Sequence, residues 1–277
     1  MKHPLSILEV LALAVPLAAP VSLAEDAPIP QAAADVAGSA AQNAPNPPER
    51  EYLFTVDPSL PAAGHVVVTA GLGNVTRTGE ERPVGAGQLV PTLGAEVGLW
   101  SRLALYVEGG AAFEQVGNPG GLASPVVFEG GAHILLTDPA SRVWRVSLRP
   151  SYTYDFDGSS TLNLTATGAW NYKAVRVAAS VMGSHTFQGD ADALDVQATL
   201  GATYALPLGF RVGVEGVAAD LEEIADAGAE GGTSAFAGPT LGWEWGRFQI
   251  VAGPAFGVTP GAIYDPLLFR AAAALRL

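Results

Sequence analysis

Histidine and serine are the residue types in this chain that could pair as a base and a nucleophile. His185 follows Ser184 near the end of a run in which apolar and polar residues alternate. Successive side chains of a strand point to opposite faces, so Ser184 cannot serve His185. His133 lies at a polar position of another run, where we expect it to form hydrogen bonds. No arrangement of a nucleophile with a base can be derived, and the sequence predicts no enzyme activity.

The sequence contains no motif of the kind that commonly holds a metal or a cofactor. The chain has no cysteine, which excludes disulfides, thiol chemistry and lipid attachment through a cysteine. The stretch GDADALD, residues 189 to 195, has acidic residues without the spacing of a calcium loop. No phosphate loop is present, and a formal net charge of -13 disfavours nucleic acid. We therefore expect no cofactor, no metal site and no nucleic-acid partner.

Charged residues at alternate positions of the apolar runs are the main candidate functional residues. If their face is enclosed, they form either a salt-bridged polar filling, because buried charges must be paired, or a charged constriction that sets ion selectivity. The sequence leaves both interpretations open. The predicted lumenal charges are Glu96, Glu108, Glu129, Arg145, Arg149, Arg176, Arg211, Glu215, Glu244, Arg247 and Arg270.

The stretch VWRVSLRPSYTYDF, residues 143 to 156, shows which kind of element positions these charges. Its even-numbered residues, from Trp144 to Phe156, are mostly apolar or aromatic, and its odd-numbered residues, from Arg145 to Asp155, are polar. A period of two predicts a strand with one apolar and one polar face. Twelve such runs are found, or ten if a loop has been taken for a strand. They span approximately residues 65–78, 88–100, 102–115, 122–137, 143–157, 160–172, 174–187, 192–206, 210–221, 232–245, 247–258 and 265–277.

The connections between the runs alternate between short turns such as WGR and longer loops such as EEIADAGAEGG. This alternation, with an even number of strands, is typical of a transmembrane antiparallel up-and-down β-barrel. Three features favour lipid rather than water outside the barrel. The polar positions carry little charge, the five tryptophans lie near the short turns with other aromatics near the opposite end, and a closed barrel is the β structure that lipid allows. A secreted soluble barrel or sandwich is the alternative.

The first 64 residues divide into three segments. Residues 1–24 have the pattern of a secretory signal peptide, with a basic start, an apolar run and small residues before Glu25. Residues 25–50, rich in Ala and Pro, predict a disordered periplasmic linker. Residues 51–64 begin with EYLFTV, which we interpret as the lead-in to the first strand in preference to a segment folded back into the lumen. Residues 65–277 form the predicted barrel.

The final run, LLFRAAAALRL, places Leu267, Phe269, Ala271, Ala273, Leu275 and Leu277 on one face. It is similar to the alternating C-terminal strand that the barrel assembly machinery recognises in outer-membrane barrels, although that family usually ends in an aromatic residue. From about His65 to Leu277 the chain resembles the bacterial outer-membrane β-barrel family in the broad sense, which covers porins and small structural barrels. The resemblance implies localisation in the bacterial outer membrane and does not identify a subfamily.

Acidic residues concentrate in the predicted outer loops, of which the loop after the ninth run is the richest. This loop contains Asp220, Glu222, Glu223, Asp226 and Glu230. With small residues at many inward positions, the pattern predicts a small passive diffusion channel whose acidic extracellular rim favours cations. The alternative is a closed structural or partner-binding barrel without transport activity. Expected partners are outer-membrane lipid and lipopolysaccharide, the barrel assembly machinery, and small solutes or cations.

Overall fold

The structure, a computed structural model, describes residues 52–74, 88–114, 122–155, 160–187, 194–219, 221, 234–259 and 267–277. The predicted signal peptide, the Ala/Pro-rich linker and the acidic outer loop lie outside these residues. Within the described ranges, no helix has the length and apolar character required to cross a bilayer.

The described residues form twelve antiparallel strands. Each strand pairs with the next one in sequence, and β1 pairs with β12, so the sheet closes into a barrel without free edges. The prediction of an up-and-down barrel of about twelve strands is confirmed. The strands are β1 Val66–Asn74, β2 Gln88–Trp100, β3 Leu103–Glu114, β4 Leu122–Leu135, β5 Trp144–Asp155, β6 Ser160–Tyr172, β7 Val175–Thr186, β8 Asp195–Ala205, β9 Phe210–Ala219, β10 Ser234–Trp245, β11 Phe248–Gly257 and β12 Leu267–Arg276.

One end of the barrel, which we name the tight-turn rim, carries the short connections. These are residues 101–102, 136–143, 173–174, 206–209 and 246–247. The barrel also closes at this rim, where the Leu277 N–H donates to the Val66 carbonyl oxygen at 2.8 Å. Two of the turns hold a non-glycine residue with positive φ, Lys173 at 54° and Leu208 at 64°. By the convention of outer-membrane barrels, short turns face the periplasm.

The apolar face of each strand points away from the barrel axis. On β9 Val212 and Val214 are exposed on the outside, whereas Glu215, the residue after Val214, is buried inside. Aromatic side chains gather at the tight-turn rim, where Trp144 contacts Trp170 with ring centroids 6.2 Å apart. A second set lies towards the other end and includes Tyr154, Phe187 and Phe256, all exposed. An apolar outer band between two aromatic girdles is the surface that a bilayer requires.

The inner face of the wall is lined mainly by small hydroxyl and amide side chains. On β6 this face is an alternating series of buried polar residues facing similar residues on β7. Cross-strand hydrogen bonds join them, as between Thr167 and Ser180 at 3.0 Å. The buried polar residues of the inner wall are Ser147, Ser151, Asn163, Thr165, Thr167, Ser180, Ser184, Thr199, Thr203, Thr240 and Gln249.

Residues 52–61, which we name the lumenal segment, lie inside the barrel. The segment contacts inward side chains of β5, β7, β9 and β12, which surround it. It runs parallel to β2 towards the tight-turn rim, where Ala63 bridges Gly98, and the chain then reverses into β1 at Gly64, whose φ is +81°. The interpretation of this stretch as the lead-in to the first strand, in preference to a segment folded back into the lumen, was wrong, because its backbone N–H groups and its Asp57 carboxylate bind side chains of the inner wall.

Gly98 of β2 is required where the segment passes the rim. A Cβ atom at this position would overlap the carbonyl oxygens of Pro61 and Ala62. The Gly64 N–H donates to the Gly98 carbonyl at 2.8 Å, and the Gly98 N–H donates to the His65 carbonyl at 3.0 Å. The wall therefore accommodates the turn that directs the lumenal segment inward.

Candidate functional site

The carboxylate of Glu215 on β9 holds the first residues of the lumenal segment. Its Oε2 accepts a hydrogen bond from the Leu53 N–H at 2.8 Å, and its Oε1 accepts from the N–H groups of Phe54 and Thr55, both at 3.3 Å. Glu215 is 1% exposed. Three N–H donors from consecutive residues thus satisfy a buried charge that would otherwise be costly to remove from water.

A buried ion pair holds the middle of the segment. Arg176 Nη2 on β7 donates to Asp57 Oδ1 at 2.7 Å, and the two side chains are 4% and 3% exposed. The same nitrogen lies 3.3 Å from Ser59 Oγ, to which Arg145 Nη1 on β5 donates at 3.0 Å. Asp57 Oδ1 also accepts the Ser59 N–H at 2.8 Å, which fixes a local turn. Two wall arginines therefore converge on adjacent oxygens of the lumenal segment.

Close packing of Tyr52 against a wall glycine also holds the segment in place. A Cβ atom on Gly201 of β8 would lie 2.6 Å from the ring of Tyr52, so the ring fits because this wall position lacks a side chain. The Tyr52 hydroxyl donates to the Arg176 carbonyl at 3.3 Å, and the Val56 N–H donates to Ser180 Oγ at 3.2 Å. The segment is thus fixed to the wall by side-chain, backbone and ring contacts.

Three neighbouring strands, β3 to β5, carry a second network. The Tyr106 hydroxyl donates to Glu129, and the Arg149 guanidinium carbon lies 3.5 Å from the centroid of the Tyr106 ring. Glu108 faces Glu129 across β3 and β4. These side chains lie on the wall beside the lumenal segment, and they are not the residues that hold the segment by hydrogen bonds. Across the described residues, no group of three or more His, Cys, Asp or Glu side chains is placed to hold a metal ion.

His133 joins a hydrogen-bonded chain of a serine, a histidine and a carboxylate. Its Nε2 lies 3.1 Å from Ser147 Oγ, and its Nδ1 lies 2.9 Å from Glu96 Oε1. The order of contacts is that of a hydrolytic triad. Ser147, however, is 1% exposed, so a substrate carbonyl could not reach its Oγ in this arrangement. The expected hydrogen-bonding role of His133 is what the geometry supports, since the chain braces β2, β4 and β5.

The other predicted lumenal charges divide between the wall and the rim. Glu244 pairs with Arg211 at 3.8 Å and with Arg276 at 3.4 Å, and the Arg270 guanidinium carbon lies 4.5 Å from the Phe54 ring centroid. Arg247 does not belong to the lumen. It is an exposed residue of the turn 246–247, because the strand that would have turned its side chain inward begins one residue later.

At least two spaces lie beside the lumenal segment. One, of about 110 Å³, lies between the segment and the side chains of Glu96, Glu108 and Arg149. The other, of about 190 Å³, lies between Leu53 and the wall at Glu108 and Arg270. Since a water molecule occupies about 30 Å³ of liquid, each space holds a few waters. Glu108 lines both spaces.

The sequence prediction missed the residues of the lumenal segment that hold it in place, above all Asp57 and Ser59. A signal was present in the charge distribution. β6 and β7 contain one arginine, Arg176, and no acidic residue, so the partner of this buried charge had to come from another element. The Asp-Pro-Ser sequence at 57–59 is also a turn signal that an extended lead-in does not need.

No known protein-family pattern matches the sequence, and no curated protein matches it. Solved structures do match. An outer-membrane channel from Pseudomonas putida F1 has a TM-score of 0.58 at 11% identity, with 80% of this chain and 98% of that chain covered. The NanC porin has a TM-score of 0.53 at 10% identity, with 76% and 100% covered. The KdgM porin has a TM-score of 0.51 at 10% identity, with 76% and 98% covered.

Sequence identities of 10–11% show a similarity of fold alone. The coverage of these structures is almost complete, so the similarity extends around the whole barrel. With its apolar outer band and its aromatic girdles, the chain has the fold of these porins and channels and is a β-barrel of the bacterial outer membrane.

Proposed function

We propose that the protein is a small passive diffusion channel of the outer membrane whose lumen is closed on the periplasmic side by the lumenal segment. In the seated state, solutes do not pass, and the channel conducts when residues 52–61 leave the wall. The porin-like fold supports a channel in general. The seat of the segment, built from polar and charged groups, supports this form of closure.

The observation that carries the proposal is the polarity of the wall behind the segment. A barrel that is permanently filled gains stability from apolar packing, since buried polar groups contribute little net free energy. Here the segment covers hydroxyl groups and arginines, among them Ser180, Arg145 and Arg176. Such a surface is readily hydrated once the segment leaves, as an aqueous pore requires.

We propose further that the acidic outer loop, with Asp220 and its neighbours outside the described residues, enriches cations at the outer mouth and binds lipopolysaccharide through divalent cations. Attraction by exposed charge is screened over about 10 Å at 0.1 M salt. Cation selectivity that originates there weakens as salt rises. Insertion of the chain by the barrel assembly machinery belongs to the same proposal.

A reversible disulfide bond between the segment and the wall tests whether release of the segment opens the channel. The chain has no cysteine, so a Val56→Cys, Ser180→Cys pair would contain its only thiols. The Val56 nitrogen lies 3.2 Å from Ser180 Oγ, which puts the residues near the Cα separation of about 4.4–6.8 Å that a disulfide spans. In planar bilayers, we expect no conductance steps from the oxidised protein and discrete steps after reduction.

A second pair provides the matched control. Thr161→Cys with Thr186→Cys links β6 to β7 within the wall, where the two hydroxyls are 3.0 Å apart and bond to each other and not to the segment. Its conductance should not depend on oxidation. If the reduced Val56→Cys, Ser180→Cys protein stays silent despite verified insertion, the protein is not a channel, and the closed structural barrel, which the many contacts of the segment also fit, replaces it.

A further inference from the structure

We propose that the barrel wall between β10 and β11 is a lateral portal, through which small apolar molecules pass between the lumen and the hydrocarbon core of the bilayer. The portal is a route through the wall, separate from the axial route of the proposed channel. It is derived from the pairing of the two strands and from the residues that line them.

The ladder of hydrogen bonds between β10 and β11 is interrupted near the middle of both strands. Residues 238–240 of β10 and 253–255 of β11 form no pairs with each other, although the pairs on both sides of this gap keep one register. In that register Pro239 lies opposite Pro254. Proline has no N–H group, so neither strand can donate to the other at this step. The paired residues that flank the gap are about 13 Å apart along each strand.

The backbone around the two prolines is arranged for a break in this ladder and not in its neighbours. Both prolines keep their register with the strands on their other sides, β9 and β12. A Cβ atom on Gly238 would overlap the carbonyl oxygen of Pro254, and one on Gly253 would overlap that of Pro239. Both glycines are buried at inward positions, so the carbonyl oxygens turn towards the lumen. Lipid could not supply them with a hydrogen-bond donor.

The inner wall beside this gap is mainly apolar, whereas hydroxyl groups line much of the inner wall elsewhere. Three buried residues, which we name the lumenal apolar strip, are Val251 and Ala255 of β11 and Ala272 of β12. Leu53 of the lumenal segment packs against this strip. Thr240 adds a hydroxyl group beside the gap, and the Arg270 side chain lies against β1, on the side away from it. An apolar solute in the lumen therefore has its contact surface next to the interrupted ladder.

The wall between β4 and β5 has a gap of a different kind. Pro150 of β5 lies opposite Ala132 of β4, whose N–H group can still donate, and the inward residues there are His133 and Arg149. Among the strand pairs that the structure describes, β10 and β11 are the pair in which two prolines face each other in front of an apolar strip. Separating β10 from β11 at the gap breaks fewer hydrogen bonds than separating an intact ladder. The opening joins an apolar lumenal surface to lipid.

Photolabelling from the bilayer tests the portal without depending on conductance. The probe is adamantyl diazirine, a small hydrocarbon that dissolves in the acyl chains of proteoliposomes. Mass spectrometry of the labelled peptides should find it on the inward Val251 and Ala255 and on the lipid-facing Ile250. A Pro239→Val, Pro254→Val protein regains both N–H donors. Labelling of the two inward residues should then fall roughly tenfold, while that of Ile250 is unchanged.

Pro150→Val is the matched control, because it changes the other gap and should leave labelling of the lumenal apolar strip unchanged. Heat-dependent gel mobility verifies that each barrel is folded. If the double variant does not fold, Pro239→Val and Pro254→Val alone, which restore one donor each, should still lower the labelling.

Equal labelling of the strip in the wild-type and double-variant proteins would mean that the probe enters through the mouth of the lumen, and it would overturn the portal. An unlabelled strip in the wild-type protein would do the same, even where the protein conducts and the channel proposal stands. Labelling that depends on the two prolines in a protein that is silent in planar bilayers supports the portal while the channel proposal fails.

Discussion

Replacing Glu215 by Ala should release the lumenal segment while leaving the barrel folded. The carboxylate accepts one hydrogen bond at 2.8 Å and two at 3.3 Å from the backbone of Leu53, Phe54 and Thr55. A hydrogen bond to a charged group contributes about 1.5–3 kcal/mol and an ordinary one about 0.5–1.5 kcal/mol. Counting the short bond in the first class and the long ones at the low end of the second gives about 3 kcal/mol.

A loss of about 3 kcal/mol lowers the ratio of seated to released segment roughly a hundredfold, since 1.4 kcal/mol corresponds to a factor of ten. A Thr55→Cys thiol measures this ratio, because Thr55 is 5% exposed and the thiol reacts with a maleimide when the segment leaves the wall. If opening is fast relative to modification, the modification rate rises by the same factor. Single-channel recordings of the same variant should show a larger open fraction.

Glu244→Ala is the matched control for this experiment. Glu244 is also an inward carboxylate, on the neighbouring strand β10, but it pairs with Arg211 and Arg276 and not with the segment. Its loss should leave the thiol protected. If the thiol reacts equally slowly in the Glu215→Ala and Glu244→Ala proteins, both with folded mobility, Glu215 does not hold the segment and the reasoning from its three hydrogen bonds is refuted.

Two further predictions use steric and lipid contacts. Gly201→Leu should displace the Tyr52 ring and speed modification of the same thiol at least tenfold, whereas Gly168→Leu should have no effect, because a Cβ on Gly201 meets the ring and one on Gly168 meets nothing. Leu164→Arg, on the lipid face near the middle of β6, should lower the unfolding free energy in refolding titrations by about 2–4 kcal/mol, and Leu208→Arg, in an exposed turn, by about 0–1 kcal/mol. Equal losses at the two leucines would contradict the assigned membrane depth.

The strand pattern made the barrel predictable because each strand of a membrane barrel meets two different solvents. Lipid contacts one side of the strand and polar groups contact the other. Apolar and polar residues therefore alternate along the strand, as Leu164 and Thr165 do. The constraint is local and repeats in every strand. Predicted strand limits fall close to the observed ones for this reason, with β5 predicted over 143–157 and observed over Trp144–Asp155.

The residues at the strand ends were harder to predict, because the alternation of apolar and polar residues does not mark where a strand stops. Arg247 has the parity of an inward residue, but the chain turns at 246–247 before the parity applies. Gly246, which has a φ of 59° in the turn, was a local sign of it in the sequence. A charge assigned by parity near a short turn can therefore belong to the rim and not to the lumen.

The partner of the lumenal arginines could not be derived from the strands, because it lies 119 residues from Arg176 in a segment without a repeating pattern. The alternation of residues along β7 places the Arg176 side chain inside the barrel, but it does not predict which residues lie next to that side chain. Charge compensation limits the answer, since a buried guanidinium needs an acceptor and its own and the adjacent strand β6 offer no carboxylate. Asp57 meets that need because residues 52–61 lie inside the barrel before the chain reverses at Gly64 and enters β1. A counter-charge on a separate segment is not fixed in the wall, so in the proposed channel the release of the segment would change the charge of the lumen together with its width.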